Sequence, residues 1–230
     1  MRGDLFDHCP CLLQLSLLPT LFEMKALQTS WQKAWREAEP EDDGDEIFHA
    51  LIAHYAEPHR AYHTLDHIRE CLRQLDLARH LLSRAGEAEL AVWFHDAVYD
   101  PTRNDNEARS AEWAEKVMGE RQVAGPAIQR IGELIRMTTH HNNHLTGDAA
   151  LVCDADLAIL GAEQPRFDAY NSAIRLEYAW VPEPAYQQGR GAVLAAFLSR
   201  PRIYHSQFFY ERLEQKARAN LRHAVARYSS

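Results

Sequence analysis

The chain has 230 residues, 46% of them apolar and 25% charged, with ten glycines and ten prolines. That is the composition of a folded globule with a sizeable core, and it excludes disordered, collagen-like and fibrous classes. No uninterrupted apolar run approaches the roughly 20 residues a helix needs to cross a bilayer, and 25 basic against 33 acidic side chains, a net −8, argue against general nucleic-acid or anionic-membrane binding.

The first stretch is the least specified. Cys11 to Phe22 is apolar like a signal-peptide core, but Asp4 and Asp7 precede it and Pro19 interrupts it. It also lacks a basic n-region and a small-residue cleavage site. Residues 1–23 therefore read as a leader, with Met24 an alternative start, and residues 24–230 as one helical domain. Cys9, Cys11, Cys71 and Cys153 form neither a paired framework nor a C-x-x-C metal signature, which fits a reducing, cytoplasmic compartment.

From there on the periodicity is helical throughout, and alternating strand patterns are absent. Ile68, Cys71, Leu72, Leu75 and Leu82 repeat at helical spacing, as do Phe209, Leu213, Ala217, Leu221, Ala224 and Tyr228. Breaks at Pro40 to Gly44, Pro58, Gly86, Pro101, Gly119 to Pro126, Gly147, Gly161 to Pro165, Pro182 to Pro184 and Arg200 to Pro201 divide the chain into about ten helices. The expected fold class is an all-α bundle. Charge is uneven along it: eight carboxylates and no Lys or Arg lie between Glu37 and Glu57, whereas seven basic residues from Arg200 onward face only Glu211 and Glu214.

Three segments have the texture of a site. In Tyr62-His63-Thr64-Leu65-Asp66-His67 the two histidines are i, i+4, which on a helix puts them on the row continued by Cys71 and Leu75, facing inward. In Ala91-Val92-Trp93-Phe94-His95-Asp96-Ala97 a His-Asp pair sits within an otherwise apolar helix. A carboxylate there is costly unless it meets a cation or strong donors. In Leu151-Val152-Cys153-Asp154-Ala155-Asp156-Leu157, Asp156 shares its row with Val152 and Leu160, while Asp154 suits a cap or an accepting role. Two imidazoles and two carboxylates from three helices make a mixed N/O site suited to Mn, Fe, Co, Ni, Zn or Mg, with positions left open for water and substrate.

In this order the segments resemble the HD superfamily of metal-dependent phosphohydrolases, whose pattern is H…HD…D on a helical bundle. His67, His95, Asp96 and Asp156 match its four ligands. The Tyr62-His63-x3-His67 form is similar to that of cyclic nucleotide phosphodiesterases and implies His63 as the general acid. The wording Glu57-Pro58-His59-Arg60-x-Tyr62-His63, Phe94-His95-Asp96-Ala97-Val98-Tyr99-Asp100-Pro101, Asp105-Asn106-Glu107 and Asp154 to Gly161 resembles a bacterial family of HD phosphohydrolases over residues 30 to 225.

The resemblance implies further roles. His140 and His141 would hold a second ion or line the pocket, leaving one or two metals. Asp100 and Glu107 would position or deprotonate the attacking water, with helix capping as their alternative. Arg60, Arg175, Arg190 and Arg202 are the candidates for the substrate's phosphate, and Tyr178, Tyr186 and Tyr204 would add stacking or hydroxyl donors. The expected function is hydrolysis of a phosphoester or phosphoanhydride in a nucleotide or other small phosphorylated metabolite, by a protein able to form a homodimer. A di-iron oxygenase and a non-catalytic nucleotide-binding module are the competing readings.

Overall fold

Apolar residues spaced three and four apart give each segment one face to bury, and helices with such faces can only be stable packed on one another. A computed structural model of the chain describes residues 21–139 and 144–228. It contains ten α-helices and two 3-10 segments, with no strand among the described residues. The helices are α1 (Leu21–Glu37), α2 (Asp45–Tyr55), α3 (Leu65–Leu77), α4 (Ala85–Phe94), α5 (Asn106–Glu120), α6 (Gly125–Met137), α7 (Gly147–Asp156), α8 (Gln164–Glu177), α9 (Glu183–Ser199) and α10 (Gln207–Tyr228). The fold is thus the all-α bundle expected from the periodicity. No described helix is long and apolar enough to cross a membrane.

Two boundaries differ from the sequence reading. Residues 21–23, assigned to the leader, belong to α1, where Glu23 pairs with Arg69 at 2.7 Å. Residues 1–20 lie outside the described part. Gly86 is not a break but stands in the first turn of α4, where a Cβ would come within 2.5 Å of the Glu37 Cβ. The glycine is there for the close approach of α4 to α1.

The aromatic core sits where α1, α2 and α4 meet. Trp31 stacks on Trp35 at 5.1 Å, and Trp93 stands edge-on to both Trp31 and Phe48 at 5.8 Å. Gly44 (φ 69°) turns the chain into α2, and its missing Cβ leaves room for the Trp35 ring, which would lie 2.7 Å away. The indole N–H groups of Trp31 and Trp35 donate to the carbonyls of Gly44 and Asp42, each at 3.1 Å. The acidic stretch around this turn is partly neutralised by Arg121, which reaches Asp42 and Glu46.

On the other side of α4 a second set of helices is assembled. α3, α4 and α7 pack on one another, and α10 lies across α9 and the 3-10 segment Leu157–Gly161. The N-terminus of α3 and the C-termini of α4 and α7 therefore converge.

Candidate metal centre

Every residue of the His-Asp set lies at a helix end. His67 is in the first turn of α3, His95 and Asp96 directly follow α4, and Asp156 is the last residue of α7. The His-Asp pair is therefore not inside its helix, as its apolar setting suggested. His63 is not on α3 either: Thr64 is the N-cap, so His63 belongs to the preceding loop and the i, i+4 row is not formed. Apolar helix interiors bury the flanks, and the polar residues emerge where the helices stop. The two C-termini carry the negative ends of their helix dipoles, which favours positive charge between them.

The side-chain atoms converge tightly. His67 Nε2 lies 3.2 Å from His95 Nε2, 3.4 Å from Asp96 Oδ2 and 3.0 Å from Asp156 Oδ1. His95 Nε2 lies 3.0 Å from Asp96 Oδ2 and 3.5 Å from Asp156 Oδ1. Donors bound at about 2.1 Å stand roughly 3.0 to 3.4 Å apart along the edges of an octahedron or tetrahedron. Four of these five spacings fall in that range, and the fifth, His95 to Asp156 at 3.5 Å, is just beyond it. His95 Nδ1 is committed to the Val92 carbonyl at 2.8 Å, which fixes the tautomer and directs Nε2 into the cluster.

The electrostatics say the same. Burial opposes a charge on either ring, yet the surroundings raise both imidazoles well above the ordinary range. For His67 these are Cys71, Tyr62 and hydrogen bonds to Asp156 and Asp96; for His95 they are chiefly Asp96 and Asp156. Burial likewise opposes ionisation of Asp96, but His95, His63 and His67 hold it well below the carboxylate range. A buried Asp96 and a half-buried Asp156 beside two buried imidazoles need positive charge among them, from shared protons or from a cation. The buried group His67, His95, Asp96 and the group His67, Cys71, Asp156, in which the carboxylate is half-buried, could each hold a metal ion.

His63 is held by a residue that sequence reasoning missed. Glu177, the last residue of α8, is buried, and its Oε1 accepts the backbone N–H groups of Ala61, Tyr62 and His63 at 2.8 to 2.9 Å. Its Oε2 accepts from His63 Nδ1 at 2.7 Å and from the Tyr99 hydroxyl at 2.8 Å. Burial would raise the Glu177 pKa, but the bond and charge of His63 and the backbone donors bring it down to about 2. The carboxylate thus fixes the loop and the ring together, leaving His63 Nε2 for the cavity that His63 lines. A glutamate 114 positions away, ending an ordinary amphipathic helix, gives no sequence signal of this role.

That cavity, about 730 Å³, is floored by His63, His95, Asp96 and Asp156 and walled by α8, α9 and the 3-10 segment. Of the other expected site residues, Glu107, Arg190, Tyr178 and Tyr186 line it. Asp100 does not: its carboxylate accepts from the Thr102 N–H and hydroxyl at 2.9 and 2.7 Å and shapes the turn before α5. Arg60 is a fastening, not a phosphate ligand. It donates to the carbonyls of His63 (3.0 Å), Asp96 (2.7 Å) and Ala97 (3.0 Å), which ties the His63 loop to the Asp96 turn. Arg175 is spent on the α8–α9 turn, at the Tyr178 and Val181 carbonyls and Glu183. Arg202 is exposed over Tyr210, and Tyr204 is a core residue whose hydroxyl donates to the Leu157 carbonyl at 3.2 Å. Asp154 holds the turn before α10, accepting the N–H groups of His205 and Ser206 at 2.7 Å, and burial pushes its pKa up to about 6. His140 and His141 lie outside the described residues. Arg200, not foreseen, also lines the cavity.

Comparison with models of known families, with curated proteins and with solved structures finds no match.

Proposed function

We propose that this chain is a metal-dependent phosphohydrolase of the HD type, acting on a small phosphorylated molecule. The observation that carries the reading is the meeting of His67, His95, Asp96 and Asp156 from three helix ends, each imidazole 3.0 to 3.5 Å from both carboxylates, with His95, Asp96 and Asp156 on the floor of a cavity that His63 also lines. The resemblance of the H…HD…D pattern supports it. His67, His95, Asp96 and Asp156 would hold a divalent ion, Mn, Fe, Co, Ni, Zn or Mg. Such an ion supplies Lewis acidity toward a phosphoryl oxygen and toward a water.

The remaining work falls to this chain's own groups. His63, with Nδ1–H held by Glu177, presents Nε2 to the cavity and, when protonated there, hands that proton to the leaving oxygen. Arg60 keeps the His63 loop and the Asp96 turn in register without touching substrate. Glu107 faces the same cavity as the candidate to orient the incoming water. Arg190 brings a guanidinium to the opposite wall, where developing negative charge is met by a fixed donor.

The test is a panel of nucleotides, dinucleotides, sugar phosphates and aryl phosphates, run with each of the six metals, with released phosphate and bound metal both measured. Phosphate release that tracks metal content and disappears in Asp96→Ala supports the reading. Stoichiometric paired iron with oxygen uptake and no phosphate release would replace it with the oxygenase.

A further inference from the structure

The cavity has two ends of different chemistry. The polar groups collect at the floor, whereas the walls contributed by α8, α9 and the segment Leu157–Gly161 carry no carboxylate and no side-chain amide among their lining residues. Their hydrogen-bonding side chains are the Tyr170, Tyr178 and Tyr186 hydroxyls and the guanidinium groups of Arg190 and Arg200, so the paired donor and acceptor groups of a carboxylate or amide, which read a nucleobase edge or sugar hydroxyls, are missing from the lining of these walls. Small and apolar residues dominate the α9 wall: Ala185, Gly189, Val193, Ala196 and Phe197 follow one another at helical spacing. Val193 is 48% exposed, a large aliphatic side chain left facing the groove. From Ala185 to Arg200 this wall spans about 22 Å at a rise of about 1.5 Å per residue. A volume of about 730 Å³ drawn out over that length is a channel rather than a bowl.

Among the polar groups of this wall, Arg190 is the one placed toward the metal cluster. Arg190 reaches Asn171 Oδ1 with Nη2 at 2.9 Å and lies over the Tyr170 ring at 4.9 Å. Its Nε is buried without a hydrogen-bond partner among the described residues. Tyr170 packs on Tyr62 at 4.6 Å, and Tyr62 on His67 at 4.8 Å, so this unspent donor stands two rings from the metal cluster. A buried donor of this kind costs free energy unless a ligand supplies the acceptor.

We propose that the substrate is a phosphate ester of an elongated apolar alcohol, its phosphate at the His-Asp cluster with an oxygen near Arg190, and its chain along the α9 wall. This rests on the phosphohydrolase reading for the cleaved bond, but the groove is testable by binding alone. The occupant is a small amphiphile and not a second copy of the chain, because the apolar wall is continuous with the polar floor in one cavity.

The experiment uses the full chain loaded with Mn and titrates methyl-, butyl- and octylphosphonate calorimetrically, below the micellar concentration of the longest. Affinity rises with chain length, by at least about 30-fold from methyl to octyl, as burial of methylenes requires. At Gly189 an added Cβ meets nothing within 4 Å, so Gly189→Phe folds and places a ring in the channel. It reduces the octyl-to-methyl ratio to below about threefold. A flat dependence on chain length, tighter binding of adenosine monophosphate than of octylphosphonate, or concentration-dependent dimerisation that Gly189→Phe abolishes with no chain-length effect, each overturns the inference. Chain-length-dependent binding without phosphate release from octyl phosphate supports the groove and overturns the hydrolase reading. Release from short esters with flat chain-length dependence does the reverse.

Discussion

Trp93 and His95 stand two residues apart at the end of α4 and belong to two different interiors. Trp93 enters the aromatic core, packed on Trp31 and Phe48, where the gain is apolar burial and ring contact and nothing titrates. His95 turns the other way, into a cluster of imidazoles and carboxylates at 3.0 to 3.5 Å that is stable only if positive charge is supplied. One interior is held by apolar contact and calls for no ion. The other is complete only with a proton or a cation, and that incompleteness is what a binding site consists of.

The contrast breaks hardest at Asp96. Asp96→Ala is expected to abolish metal uptake and lower phosphate release at least about 1,000-fold. It is also expected to remove the rise in melting temperature that added metal gives the wild type, an increment that chelation reverses. Metal analysis and thermal melts with and without chelator read both effects. If Asp96→Ala keeps its metal, the cluster is not the binding site.

His63→Gln should leave metal content intact and lower kcat about 100- to 10,000-fold. The pair of measurements separates loss of a proton donor from loss of the ion. On the apolar side, Trp31→Ala should cost about 3–5 kcal/mol in urea unfolding while metal bound per folded molecule stays unchanged. A loss of metal affinity in that variant would show that the two interiors are coupled.

Glu177 and Asp154 sharpen the comparison through pH. The Glu177 pKa is about 2 in the fold, below the ordinary value of about 4.3. Its contribution is therefore present above about pH 4.3 and is lost as pH falls toward 2. Glu177→Gln should lose stability less steeply across that window, and its turnover should fall because the His63 ring is no longer fixed. Asp154 has the opposite sign: its pKa is about 6 in the fold, above the ordinary value of about 3.9. Its contribution is present below that value and is lost as pH rises through 6, so Asp154→Asn should flatten this fall in chemical denaturation. The smallest effect is expected at Tyr204→Phe. Loss of its hydrogen bond to Leu157 should cost about 0.5–1.5 kcal/mol with turnover unchanged, since the residue lies in the core and not in the cavity.

Much of the site was legible because its residues are out of place locally. A charged Asp96 after Trp93 and Phe94, or Asp156 following Cys153 and Ala155, contradicts the apolar pattern around it, and such contradictions mark functional positions. The pattern misjudged local conformation, placing His63 and the His-Asp pair within helices. Apolar periodicity reports which face is buried far better than where a helix ends. The arginines were the weakest reading. A guanidinium is as useful for tying carbonyls as for holding phosphate, and nothing in the local sequence of Arg60 or Arg175 shows which carbonyls lie within reach.

Periodicity and composition by themselves determined an all-α bundle, its helices, and the segments whose polar residues conflict with their neighbours, because these depend on spacing along the chain; the choice of four ligands among those residues came from the resemblance to the H…HD…D pattern. Only the tertiary structure decided that Glu177 fastens His63, that Arg60 joins two loops, that Asp100, Arg202 and Tyr204 stand away from the cavity, and that α9 gives it a long apolar wall. Each of those facts is a distance between residues far apart in sequence, and such distances are set by how helices pack, not by the order of residues within any one of them.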